Sequence, residues 1–220
     1  MKKIALIVAG GKGVRMGLGF PKQFLKLNNL PVLMHTINLF LHFDKIYVVI
    51  SKEESENWKK LCKKYKFTVA HTICSGGKSR FESVKNGLKK VSESNSIVAI
   101  HDGARPFASK NMIDKLMSAT NDGVGAIPVL KINDSIRKKN KLATVSVDRR
   151  KFFTVQTPQC FILQDIQAAY KKMADLTMTD DASVFEKYGG NIKLVEGEEN
   201  NIKITTQKDF KYLQWLYNDL

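Results

Sequence analysis

The chain has 220 residues, 43% of them hydrophobic, and a formal net charge of +15 from 36 Lys and Arg against 21 Asp and Glu. Its three cysteines, Cys62, Cys74 and Cys160, are widely spaced with no C-x-x-C pair, which argues against a zinc site or a disulfide framework and fits a reducing, cytoplasmic setting. No stretch approaches the roughly 20 apolar residues of a membrane span, and the charge points to a polyanionic partner: nucleic acid, a membrane surface or a phosphorylated metabolite.

Residues 4–8 are a continuous apolar run, the pattern of a strand buried on both faces. The run opens into Ala9-Gly10-Gly11-Lys12-Gly13, followed by Arg15 and Pro21-Lys22. Glycines let the backbone approach a ligand and expose N–H groups to phosphate oxygens, and Arg15 and Lys22 add fixed positive charge. Two familiar phosphate motifs fail here. The dinucleotide fingerprint G-x-G-x-x-G meets Met16 where its last glycine belongs, and a P-loop ending on Gly77-Lys78-Ser79 would need glycine at Thr72. What remains, G-G-x-G-x-R-M and then P-K, resembles the signature loop of nucleotidyltransferases that join a nucleoside triphosphate to a sugar or polyol phosphate.

Residues 31–43 read as a helix with Pro31 at its start, and 45–50 as a second buried strand. In the next helix, 53–66, Trp58, Leu61, Cys62 and Tyr65 form the buried face. Lys59, Lys60, Lys63 and Lys64 fall largely off it, so part of the net charge is merely solvated. A short strand is expected at 67–70, then a break at Gly76-Gly77 and a helix over 79–91. In that helix Phe81, Val84, Leu88 and Val91 make the buried stripe, while Arg80, Ser83 and Gly87 share another face. The double glycine lets a flat base lie against the backbone, with Ser83 offering a hydrogen bond.

A fourth strand, 96–100, ends at His101-Asp102-Gly103-Ala104-Arg105-Pro106. An Asp at that position can hold Mg²⁺ or a ribose hydroxyl, and Arg105 can grip a phosphate; His101 is expected to be packed or hydrogen-bonded. A helix near 110–120 and a strand at 124–129 complete a regular alternation. It predicts an α/β fold, a mostly parallel sheet with helices on both faces. Ligands of such sheets bind outside the carboxyl ends of the strands, where the loops after Val8, Ala70, Ile100 and Val129 are expected to lie.

From 131 to 153 polar and β-branched residues take over, with a turn at Lys138-Lys139-Asn140-Lys141, and the segment reads as a hairpin arm. The chain returns through Gln156-Thr157-Pro158-Gln159 to a helix at 163–173. Thr179 is the expected N-cap of the helix begun by Asp180-Asp181-Ala182. Short strands at 192–195 and 202–205 and a helix at 208–217 follow. Lys203 sits between Ile202 and Ile204, where it is either an edge-strand lysine or a partner for a ligand phosphate.

The stretches 9–16, 21–24, 76–80, 101–106, 148–149, 156–159, 179–182 and 201–205 occur in this order over nearly the whole chain. Together they resemble the 2-C-methyl-D-erythritol 4-phosphate cytidylyltransferase family of the non-mevalonate isoprenoid pathway. The resemblance implies one Rossmann-like nucleotidyltransferase domain over 1–220, with an arm at about 131–153 that swaps across a homodimer. It implies a reaction in which CTP and methylerythritol phosphate give the CDP-linked alcohol and pyrophosphate, with Mg²⁺ or another divalent cation. Arg15 and Lys22 match the catalytic positions. Ala9, Gly10, Gly11, Gly76, Arg80, Ser83, Asp102 and Gly103 match the CTP site, with Asp102 also on the metal. Arg105, Ser135, Arg149, Thr157 and Lys203 match the acceptor site, Arg149 serving the neighbouring subunit.

A phosphate monoester is mostly a dianion at pH 7 and needs no general base, in keeping with the lack of a catalytic His or Cys pattern. Three positions depart from the family. Lys78 stands where an acidic residue is frequent near the base, Ser135 replaces a threonine, and Arg150 beside Arg149 leaves two candidates for one role. The alternatives are a cytidylyltransferase for another polyol phosphate such as ribitol 5-phosphate, and, more remotely, a nucleic-acid-binding protein. The scattered lysines and the lack of a recognised binding module argue against the latter.

Overall fold

The structure, a computed structural model, describes residues 1–11, 21–173 and 178–219. In chain order, β1 (Lys2–Val8) is followed by the small hairpin β2 (Lys26–Leu27) and β3 (Leu30–Pro31), then α1 (Val32–Asn38). Three strand–helix units follow: β4 (Lys45–Ile50) with α2 (Ser55–Lys64), β5 (Thr72–Ser75) with α3 (Arg80–Leu88), and β6 (Ser96–Asp102) with α4 (Lys110–Ala119). After β7 (Val124–Lys131) come the hairpin β8 (Ile136–Lys139) and β9 (Thr144–Val147), then β10 (Phe153–Val155) and β11 (Gln159–Ile162). The chain closes with α5 (Leu163–Lys172), α6 (Asp181–Tyr188), β12 (Asn191–Glu196) and α7 (Gln207–Asp219).

β1 is the spine of the sheet, paired in parallel with β4 on one side and β6 on the other; β5 extends the sheet beyond β4. Beyond β6, β11 runs antiparallel between β6 and β7, and β7 also pairs with β12 in parallel and β10 antiparallel. The period of two along β1 sorts its side chains between two cores. Ala5 and Ile7 face α1, α2 and α4 through Ile37, Trp58 and Ile113. Ile4 and Leu6 face α3, α5 and α6 through Val84, Ile166 and Phe185. These strand residues are fully buried, each large one contributing about 1.5–3 kcal/mol of transfer free energy. Helices on both faces of a mostly parallel sheet are therefore the architecture that the strand pattern predicts. Among the described residues no helix is long and apolar enough to cross a membrane.

The expected elements shift in several places. No strand forms at 67–70: the Phe67 N–H is taken by the Cys62 carbonyl at the end of α2, and the ladder with β4 starts only at Thr72, opposite Tyr47. The loop at that sheet edge thus follows Ser75, not Ala70. β11 is an added strand, from an apolar run that reads equally as the approach to α5. α6 is capped by Asp180, which accepts the Ser183 N–H at 3.1 Å, so Thr179 lies one residue outside the cap. Residues 202–205 are not a strand: the Ile204 N–H bonds the Ala104 carbonyl, and the Ile204 carbonyl accepts from the Lys22 ammonium. Finally, β7 continues to Lys131, and the hairpin after it leads away as an exposed two-stranded arm.

Candidate active site

A cleft of about 740 Å³ opens at the carboxyl ends of β1, β4, β5 and β6. Ala9, Gly10 and Gly11 leave β1 along one wall, knitted to the neighbouring strands. The Ala9 N–H donates to the Val49 carbonyl at 2.8 Å, and the Gly103 N–H donates to the Val8 carbonyl at 2.9 Å. Gln23, buried, donates to the Ala9 carbonyl at 2.6 Å and so ties the segment after Pro21 to the first loop. That tie brings Lys22 to the cleft, where its ammonium donates to the Ile204 carbonyl at 2.5 Å. Arg15 lies outside the described residues.

The second wall is the turn after β5. The Gly76 N–H continues the ladder to the Ile50 carbonyl at 2.7 Å, and a Cβ on Gly76 would stand 3.2 Å from Ser83 Oγ and 3.3 Å from that carbonyl. A side chain here would crowd both atoms, and glycine keeps the surface flat. Ser79 caps α3, accepting the Glu82 N–H at 3.1 Å, and the Glu82 carboxylate accepts the Lys78 N–H at 2.6 Å. The Ser83 hydroxyl accepts the Gly77 N–H at 3.0 Å and donates to the Ser79 carbonyl at 2.8 Å. Its proton is thus already used to hold the turn, and a ligand can reach only its remaining lone pair. Gly87 does not share the cleft face with Arg80 and Ser83: its Cβ would meet Leu6 and Val49 at 2.7 Å, so it packs α3 on the sheet.

Asp102, at the end of β6, is the electrostatic centre. Lys203 Nζ lies 2.9 Å from its carboxylate, and the Nε atoms of Arg80 and Arg105 each lie 3.4 Å away. Burial pushes the carboxyl up, but Arg80, Lys203 and Arg105 outweigh it and hold it well below the usual carboxylate range. Behind it runs a hydrogen-bonded chain: the Asp102 N–H donates to Thr157 Oγ1 (3.0 Å), which bonds His101 Nδ1 (3.1 Å), while His101 Nε2 meets the Arg105 carbonyl at 2.9 Å. A carbonyl can only accept, so Nε2 carries the proton and Nδ1 accepts from Thr157. Burial pushes the His101 pKa down to about 4, keeping the ring neutral at physiological pH. His101 is packed and hydrogen-bonded, as its position closing a strand predicts.

Ten of the predicted residues therefore line one cleft: the three of the first loop, Lys22, Gly76, Arg80, Ser83, Asp102, Gly103 and Lys203. Arg105 and Thr157 stand one layer behind it. Arg105 Nη1 donates to the Asn201 carbonyl at 2.6 Å, so much of its guanidinium is already engaged. Ser135 and Arg149 do not join the cleft of their own chain. Both are exposed on or beside the arm, where Arg149 donates to the Asn133 carbonyl and Arg150 pairs with Asp148 at 3.0 Å. The sequence reading missed Ser51, Lys52 and Glu53, the loop after β4, which line the cleft beside Gly76. It also missed Asp181, whose carboxylate takes both Nη groups of Arg80; the acidic pair Asp180-Asp181 was its one visible signal.

Among the described residues no cluster of three or more His, Cys, Asp or Glu side chains is arranged to hold a metal. The donor set still fits a hard cation that shares its coordination with substrate. Mg²⁺ keeps several waters and commonly takes one or two carboxylates plus phosphate oxygens, and Asp102 supplies one carboxylate in a cationic cleft suited to a triphosphate.

Glycine backbones and fixed cations at the carboxyl ends of parallel strands define an α/β protein with a site for a phosphorylated ligand. The 2-C-methyl-D-erythritol 4-phosphate cytidylyltransferase family model matches residues 3–218. The chain belongs to that family. The enzyme of that name from Bacteroides thetaiotaomicron is 41% identical over 214 residues, covering 96% of this chain and 97% of its own. That from Phocaeicola vulgatus is 42% identical over 219 residues, covering 98% and 100%. Among solved structures, 4-diphosphocytidyl-2C-methyl-D-erythritol synthase from Anaerococcus prevotii superposes with a TM-score of 0.83 at 28% identity, covering 99% of this chain and 98% of its own. The Thermus thermophilus cytidylyltransferase gives 0.81 at 27% identity, covering 99% and 100%.

Proposed function

We propose that this chain transfers the cytidylyl group of CTP to the phosphate of 2-C-methyl-D-erythritol 4-phosphate, releasing pyrophosphate. The observation that carries the reading is the single cleft in which the glycine backbones of the β1 and β5 loops face a carboxylate ringed by cations. Gly76 and the turn held by Ser83 form the flat surface for cytosine, and the first loop and Gly103 flank the ribose and phosphates.

The acceptor phosphate, with a second pKa of about 6, is already mostly a dianion at pH 7. One of its oxygens attacks the α-phosphorus in line, the bond to the β-phosphate breaks, and pyrophosphate leaves. No proton has to be removed, in keeping with a His101 that is neutral and sealed behind Thr157. Two anions must instead be brought together, a task for positioned positive charge. Lys22 and Arg15 stabilise the charge that develops on the α-phosphate and the leaving group, while Lys203 faces the acceptor and Arg105 adds positive charge from the layer behind it. Mg²⁺ would be held by Asp102 and phosphate oxygens and would neutralise part of the triphosphate charge.

Ser135 and Arg149 complete the acceptor site from the arm of a second copy, which makes the working unit a homodimer, and the setting is cytoplasmic. Pyrophosphate release is measured with CTP and Mg²⁺, comparing methylerythritol phosphate with ribitol 5-phosphate. Release with methylerythritol phosphate alone is the expected result. Release with ribitol phosphate alone keeps the nucleotide site and overturns the acceptor assignments.

A further inference from the structure

Asp181, the first residue of α6, is fully buried yet lines no part of the cleft. A carboxylate shut away from water is strongly unfavourable unless its oxygens are satisfied. Arg80 donates Nη1 to Oδ1 at 2.8 Å and Nη2 to Oδ2 at 2.7 Å, and the Tyr170 hydroxyl adds a bond to Oδ1 at 2.6 Å. Tyr170 is in turn stacked on Phe81, with ring centroids 4.8 Å apart. Gln159, also fully buried, docks the start of α6: its Oε1 accepts the N–H groups of Asp181 and Ala182 at 3.0 and 2.8 Å. The grip on Arg80 is thus built from β11, α5 and α6, all outside the cleft.

This grip decides how Arg80 meets Asp102. With both Nη groups on Asp181, only the Nε edge lies near Asp102, at 3.4 Å. A guanidinium released from Asp181 has the paired fork that carboxylates prefer, and Asp102 is the neighbouring carboxylate that would receive it. Lys203 and Arg105 already lie on Oδ2 of Asp102, so a forked Arg80 would take up Oδ1, the oxygen they leave open, as well. We propose that Asp181 is a positioning residue for the nucleotide site: it holds the Arg80 fork off Asp102, so that Asp102 serves the cleft and the Arg80 charge stays fixed beside it. The inference rests on the cleft being the CTP site and adds a residue that substrate never touches.

Direct titration of CTP into the folded protein tests it, together with pyrophosphate release to separate KM from kcat. Asp181→Asn keeps the shape and removes the charge. Its CTP affinity is expected to fall about tenfold or more, as for the outer partners of other ligand-holding groups, with kcat at saturating CTP changed less than about threefold. Arg80→Lys keeps the cation without the fork and gives the same order of loss, which carries the test if Asp181→Asn does not fold. The double variant is no weaker than the weaker single one. Tyr170→Phe leaves the fork in place, so it lowers Tm but leaves CTP affinity within about twofold. Unchanged or tighter CTP binding by Asp181→Asn and Arg80→Lys overturns the proposal, as does an equal loss in Tyr170→Phe. A wild-type chain that does not bind CTP overturns the nucleotide site itself, and the inference with it.

Discussion

Lys22 and His101 illustrate two opposite ways of using a titratable group near this cleft. Lys22 is carried to the cleft by the buried Gln23 beside it and is aimed by the Ile204 carbonyl, so its charge needs little reorganisation when substrate arrives. Lys22→Ala is expected to lower kcat by about 10²–10³, the loss typical of one preorganised donor. Arg15→Ala is expected to behave alike. Steady-state pyrophosphate release decides it, and a loss under about threefold removes the assignment. His101 contributes structure. Its folded pKa of about 4 lies below the ordinary 6.5, so between these values the unfolded chain binds the proton and the folded chain does not. The stabilisation is full above pH 6.5 and is lost as pH falls toward 4, on the order of 3 kcal/mol in all. In urea unfolding over this window, the stability advantage of wild type over His101→Gln is expected to shrink with falling pH. A constant difference would show that the ring's protonation is not coupled to folding.

At the level of elements, α3 has to place both Arg80 and Ser83, and its seat on the sheet sets where they stand. Gly87 lets the helix come down on Leu6 and Val49, both fully buried. Gly87→Ala gains up to about 1 kcal/mol of helix propensity. It also drives a methyl to within 2.7 Å of two side chains that the core holds in place, an overpacking cost of about 1–3 kcal/mol. Net destabilisation is expected, with a raised KM for CTP because Ser83 moves with the helix. Thermal unfolding read beside CTP kinetics tests both. A variant as stable as wild type with an unchanged KM would mean that the sheet yields at this point. The arm is the contrasting element, since among the described residues β8 and β9 pair only with each other, and Val145, Phe152, Phe153 and Val155 are exposed on or beside it.

For the whole molecule, the decisive matter is whether one chain owns its site. Ser135 and Arg149 lie on the arm, outside the cleft of their own chain, while Lys22 and Asp102 lie inside it. If arms are exchanged, a mixture of Lys22→Ala and Arg149→Ala chains contains dimers with one intact site, built from the unaltered core of one copy and the unaltered arm of the other. Mixing two inactive variants is then expected to restore activity after subunit exchange. No recovery, or sedimentation as a monomer at micromolar concentration, would place the acceptor site within one chain.

The β1 strand, the glycine loop after it, the turn at Gly76-Gly77 and Asp102 at the end of β6 were all legible in the residues, because short-range chemistry dictates them. Buried parallel strands need unbroken apolar runs, and phosphate loops need glycine and fixed charge. The ordered motifs added the family, and with it the ten residues found around one cleft. What the sequence left undecided depended on partners distant along the chain. Whether 67–70 or 72–75 joins the sheet is set by the register with β4, and β11 is a strand only because β6 and β7 leave a gap for it. Residues 202–205 fail as a strand because Lys22 and Ala104 take the hydrogen bonds of Ile204. Arg80 matches a CTP-site position in the sequence, yet its fork is spent on Asp181, 101 residues away. A charged side chain's role is fixed by the nearest opposite charge in space, and that neighbour exists only once the chain has folded.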